Sequence, residues 1–148
     1  MSGEVFSLSE MTKPNFTGTW KFNPAASVLQ IQAPDATIIV IEHREPKLRL
    51  SRTHVSGEKQ DTFSLVLRTD GKEIAAAAGG RQLRCRAHWE GESLVFESIL
   101  GKSPEEATNV VRYTLSGDGK SLRAEEHFRS ESLNYDNVWL LDRTQSGN

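Results

Sequence analysis

Residues 18–23 read Gly-Thr-Trp-Lys-Phe-Asn: a glycine, a spacer and a tryptophan at the head of the first strand, just downstream of a short N-terminal tail. The rest of the chain reads as strands and turns almost throughout. Helical periodicity is hard to find, whereas β-branched and aromatic runs end repeatedly in turn residues. Strands are expected over 18–23, 37–43, 47–54, 61–68, 72–76, 82–89, 93–99, 108–115, 121–129 and 135–143. Asp70-Gly71 and Asp118-Gly119 are strong hairpin signals, because glycine adopts positive φ at no steric cost. Glu90-Gly91-Glu92 and Glu45-Pro46 make short turns as well. The pattern predicts an all-β protein, a closed antiparallel up-and-down β-barrel of about 8–10 strands, since closing a meander removes its unpaired edges. An open sandwich is the alternative.

Loop lengths add polarity to this barrel. The four tight turns join alternate strand pairs, so in a meander they fall at one end of the sheet. The longer connections, 24–36, 55–60, 77–81, 100–107 and 130–134, gather at the other. The result is a cup with a tight base and a looser rim, and a binding mouth belongs at the rim. The run Ala75 to Gly80 allows a bulge, a bend or a loop there. Residues 1–14 read as a flexible N-terminal tail, 15–144 as one barrel domain and 145–148 as a C-terminal tail.

The Gly18-Thr19-Trp20 triplet in this setting resembles the lipocalin-like, or calycin, superfamily of lipocalins and fatty-acid-binding proteins. The resemblance implies a barrel around a ligand cavity, with the first-strand tryptophan at the closed end under a basic residue from the last strand. Here those positions are Trp20 and Arg143, and the loop argument independently puts both at the base. Two departures stand out: 24–36 is too short for a two-helix lid, and no second or third lipocalin motif is present.

Composition narrows the function. A chain of 148 residues, 36% hydrophobic and 26% charged, is long enough to bury a core. It contains no apolar run of the ~20 residues needed to span a bilayer. A net charge of -2 argues against nucleic acid or an anionic membrane as main partner. The polar, interrupted stretch Met1 to Lys13 does not read as a signal peptide, which suggests a cytoplasmic protein, or an exported one whose leader has been removed. Asn15-Phe16-Thr17 is a glycosylation sequon only in a eukaryotic secretory route. The single cysteine, Cys85, excludes an internal disulfide framework.

Alternation selects candidate ligand-binding residues. On 47–54, Leu48, Leu50, Arg52 and His54 share one face. If the leucines point inward, Arg52 and His54 do too, towards the rim. Phe63, Leu65 and Leu67 join them from the next strand, as do Val111, Tyr113 and Leu115, and then Leu122, Ala124, Glu126 and Phe128. The binding set is therefore Leu50, Arg52, His54, Phe63, Leu65, Tyr113, Glu126 and Phe128. An internal arginine requires an anionic partner. Glu126 is one option and the carboxylate of a ligand is the other; alternatively, Arg52 and His54 snorkel to water.

Three functions stay open. The first is a binding protein that holds a small, largely hydrophobic ligand, with or without an acidic head group near Arg52. The second is an enzyme using His54, Glu126 or Tyr113 for acid–base chemistry on an enclosed substrate. In the third, Trp89, Trp139, Phe96 and Phe128 fill the interior, and the barrel is an interaction domain. The four histidines lack metal-ligand spacing, no nucleophile elbow or phosphate loop appears, and no catalytic residue, metal or cofactor is assigned. Cys85 between Arg84 and Arg86 is either an activated thiol or the inward member of an alternating strand.

Overall fold

The computed structural model describes residues 13–78, 81–101 and 106–144. Of the expected tails, 1–12 and 145–148 lie outside the described residues. The described residues form ten strands: β1 (Gly18–Phe22), β2 (Ala36–Arg44), β3 (Lys47–Ser56), β4 (Lys59–Arg68), β5 (Ile74–Ala78), β6 (Arg81–Glu90), β7 (Ser93–Leu100), β8 (Ala107–Leu115), β9 (Ser121–Arg129) and β10 (Asn134–Arg143). They make one antiparallel sheet in the order β4-β3-β2-β1-β10-β9-β8-β7-β6-β5. The first and last strands are thus neighbours, and the meander rolls into a nearly closed barrel. Among the described residues no helix is long and apolar enough to cross a membrane.

Three connections differ from expectation, the 77–81 loop among them, since β5 runs to Ala78 and β6 starts at Arg81. The 55–60 loop is tighter, because β3 and β4 extend to Ser56 and Lys59 and leave only Gly57 and Glu58 between them. Gly57 turns the chain at φ 62°. Asp70-Gly71, by contrast, reverses the chain without making a hairpin. Gly71 has φ 84°, yet β4 and β5 share no ladder and form the two ends of the sheet. Asp70 instead bridges His88 on β6, and the amide of Gly71 bonds to the carbonyl of Ala87 at 2.8 Å. Positive φ dictates that the chain turns, but what the next segment pairs with is a tertiary matter. β5 begins at Ile74 and runs to Ala78, later than the expected 72–76. Gly79 and Gly80 of the expected bend lie outside the described residues.

The base is built on the first strand. Trp20 is fully buried and lies opposite Arg143 in the β1–β10 register. The guanidinium sits 4.3 Å from the indole centroid and donates to the carbonyls of Thr17 (2.8 Å) and Gly119 (2.9 Å). Trp20 Nε1 donates to the Phe16 carbonyl at 3.0 Å. Gly18 is needed for this approach. Its φ of 152° is unfavourable for side chains, and a Cβ there would lie 2.5 Å from Arg143 Nη1. Because Arg143 is held by three groups, Gly18→Ala is expected to cost about 1–3 kcal/mol, read as a lower urea midpoint.

Below the plug, His43 Nδ1 accepts from the Phe16 amide at 3.2 Å, so His43 Nε2 donates to Glu45 at 2.7 Å. Burial alone would raise the Glu45 pKa. Hydrogen bonds from His43, Thr69 and Trp89 outweigh it and hold the carboxyl below its ordinary value. Trp89 stacks beneath Phe16 with Lys13 over its ring. Phe16, Leu67, Leu94, Leu122 and Leu141 fill the lower interior. The void left there is about 10 Å³, the size of a single water site at most.

Candidate functional site

Above this packed floor the described residues border two lobes of an interior cavity. One, about 280 Å³, lies against Thr37, Ile39, His54 and Trp139. The other, about 320 Å³, lies against Leu50, Phe63, Phe96, Asn109 and Phe128. Arg52, Val111, Tyr113, Glu126 and Tyr135 border both. Of the eight residues selected by alternation, seven reach this cavity. Leu65 is the eighth, and it is buried in the core without touching either lobe. The filled-barrel expectation fits only the lower half: Trp139 and Phe128 are cavity walls, and Trp89 packs at the base.

The polar groups are placed by strand parity and then tuned by their neighbours. Arg52, midway along β3, lays its guanidinium 5.3 Å from the Phe63 ring centroid. Its Nε is buried with no hydrogen-bond partner, and its guanidinium makes no ion pair among the described residues. Glu126 does not neutralise it. Instead, Glu126 Oε1 accepts from Asn137 Nδ2 (2.9 Å) and Trp139 Nε1 (2.8 Å), and Oε2 accepts from Asn109 Nδ2 (3.0 Å). The Arg52–Glu126 pair offered by the sequence is not formed, and the carboxylate is held instead by three N–H donors on β8 and β10.

His54 also goes elsewhere. Its Nδ1 lies 2.6 Å from Thr37 Oγ1, and its ring stacks on Trp139 at 5.6 Å. Burial first, then the charge of Arg52, lowers its pKa from 6.5 to about 4, against the opposing pull of Asp61 and Glu126. Between those values the unfolded chain binds a proton on this ring and the folded chain does not. Stability therefore rises with pH across that window and is lost as pH falls from 6.5 towards 4. His54→Gln is expected to flatten this part of a urea-midpoint-against-pH curve. An unchanged slope would assign the acid sensitivity to other groups.

Burial pushes the Tyr113 hydroxyl up to about 12, with Glu126 adding to and Arg52 opposing the shift, so it stays a neutral donor. Tyr135 is raised for the same first reason and stacks on Phe128 at 4.9 Å. Cys85 is the inward member of its strand. Burial, then Glu73, pushes its thiol up to about 11, which removes the activated-thiol reading.

The β1–β2 connection is a strap that runs along β10, in place of a two-helix lid. After a single 3-10 turn over Pro24–Ala26, Val28 bridges Val138 on β10. The Gln30 amide donates to Asn137 Oδ1 at 2.8 Å, and Gln30 Oε1 accepts from the Asp136 amide at 2.7 Å. Ile31 then lies along the smaller lobe. Sequence reasoning missed Ile31, Thr37, Asn109, Tyr135 and Trp139 as cavity residues. Asn109 was within reach, since it continues the Val111, Tyr113 face by one step of two.

Among the described residues no group of three or more histidine, cysteine or acidic side chains is placed to hold a metal ion. Each histidine is engaged by protein groups: His43 by Phe16 and Glu45, His54 by Thr37, His88 by Glu90 and His127 by Asp136.

No protein-family model and no curated protein matches the chain. Solved structures do. Zebrafish ileal bile acid-binding protein complexed with cholic acid superposes with a TM-score of 0.56 at 14% identity, covering 87% of this chain and 98% of that one. Secretory abundant heat soluble protein 4 from Ramazzottius varieornatus gives 0.56 at 17% identity, covering 90% and 96%. Human cRBP IV gives 0.55 at 13%, covering 88% and 99%. At these identities the likeness is one of fold alone, a nearly closed antiparallel β-barrel of ten strands among the described residues.

Proposed function

We propose that the protein binds a small amphipathic carboxylic acid, with its apolar body in the two lobes and its acid group on Arg52. The observation that carries this reading is the unpaired Arg52 guanidinium, which lies over the Phe63 ring in the same cavity as a carboxylate already engaged by three other donors. A half-buried cation whose Nε is shielded from water lacks an anion here, and a ligand carboxylate supplies both the charge and the missing acceptor. The hydroxyls of Tyr113 and Tyr135, which stay protonated, line the same space as further donors. The similarity in fold to a bile acid-binding protein supports the same class of ligand.

Acid–base catalysis is the weaker reading. The His54 pKa of about 4 and the Tyr113 value of about 12 lie far from neutrality, where a general base or acid works best. The binding reading is tested by calorimetric titration of decanoate and of methyl decanoate. Arg52→Leu is expected to weaken decanoate about tenfold or more, the worth of a charge-assisted hydrogen bond, and to leave the ester within about twofold. Equal decanoate affinity in the variant would remove Arg52 from the site.

A further inference from the structure

Asn109 carries a second unmatched atom beside the cavity. Its Oδ1 is buried and accepts no hydrogen bond, and the residue borders the larger lobe. The orientation of this amide is forced by its surroundings. Trp139 Nε1 can only donate, so Glu126 must accept from it. The Gln30 backbone amide donates to Asn137 Oδ1, which turns Asn137 Nδ2 towards Glu126. The remaining carboxylate oxygen then requires Asn109 Nδ2, and Asn109 Oδ1 is left without a donor. Arg52 on β3 and Asn109 on β8 stand five steps apart in the sheet order β3-β2-β1-β10-β9-β8, and so on opposite walls of the barrel.

We infer that the ligand carries, besides its acid, a hydroxyl or other hydrogen-bond donor that meets Asn109 Oδ1 across the cavity from Arg52, so that Asn109 selects hydroxylated acids over plain ones. This rests on the acid-binding reading above for the position of the head group, but the selectivity is a separate property of the opposite wall. A site built to receive an O–H discriminates against a congener lacking it, because its buried acceptor is then left unpaired.

The test uses decanoic acid, its positional hydroxy isomers, the matching oxo isomers, and the methyl esters of all three, each titrated calorimetrically into the intact protein. At least one hydroxy isomer is expected to bind about tenfold tighter than decanoate and than the oxo acid substituted at the same carbon. Asn109→Leu should bring that ratio to about one, whatever it does to affinity in general, which a purely structural role would not do.

Glu126→Gln provides a second, opposite signature. Its amide oxygen can keep the Asn137 and Trp139 donors, and its NH2 then turns Asn109 over to accept from it. Asn109 Nδ2 would then face the cavity, and the oxo acid should gain on the hydroxy acid. A hydroxy preference that survives Asn109→Leu, or its absence from both the acid and the ester series, overturns the inference. Acids no better than their esters would overturn the Arg52 reading instead, while the hydroxy-to-parent ratio among the esters still reports on Asn109.

Discussion

Replacing Trp20 by alanine is expected to cost about 3–5 kcal/mol of folding stability, the range for deleting a fully buried large aromatic side chain. Trp20 has no exposed surface, packs in the floor of the barrel and sits under the Arg143 guanidinium at 4.3 Å. Its removal leaves a cavity, strips Arg143 of its aromatic face and frees the Phe16 carbonyl that the indole N–H satisfies. Domains of this kind hold only about 5–15 kcal/mol in total, so Trp20→Ala should lose much of its urea midpoint. Trp20→Phe keeps most of the buried area and should fall clearly between the two. A Trp20→Ala variant that unfolds at the wild-type midpoint would mean that the floor does not depend on this residue.

Glu126→Leu has the next largest expected effect, about 2–4 kcal/mol. It leaves Asn109 Nδ2, Asn137 Nδ2 and Trp139 Nε1 without their acceptor. Each unpaired buried donor costs roughly 1–3 kcal/mol, less where the cavity admits water, and the three are coupled enough not to add fully. The loss should be felt at the mouth as well. Asn137 fixes the Gln30 amide, so amide hydrogen exchange at Gln30 is expected to accelerate in the variant relative to base residues such as Trp20. Unchanged stability together with unchanged exchange at Gln30 would show that the carboxylate is not what holds β8, β10 and the strap together.

Much of the architecture was legible because it depends on local rules. Period-two alternation and turn chemistry gave ten strands close to those observed, and counting tight and long connections put Trp20 and Arg143 at the same end. The cavity walls followed from parity alone for residues such as Arg52, Tyr113 and Phe128. What could not be read is what depends on register between distant strands. Glu126 looked like a counter-ion for Arg52 until β9 was aligned with β8 and β10, which bring Asn109, Asn137 and Trp139 to its oxygens. The Asp70-Gly71 turn misled for a related reason: its backbone preference is local, whereas the pairing of β4 and β5 is not.

That missed pairing has a mechanical consequence. Among the described residues, nine of the ten joints around the barrel are hydrogen-bonded ladders, and widening any of them means breaking backbone bonds. At the tenth, between β4 and β5, no ladder forms, and the isolated Asp70–His88 bridge ties the chain just beyond β4 to β6. Phe63 and Thr62 on β4 border the larger lobe beside this seam. The circumference of the cup can therefore stretch or slacken there without loss of a ladder bond. The barrel is a ring with one joint free of ladder bonds, so girth is the dimension in which a ligand of the proposed kind would be tolerated most readily.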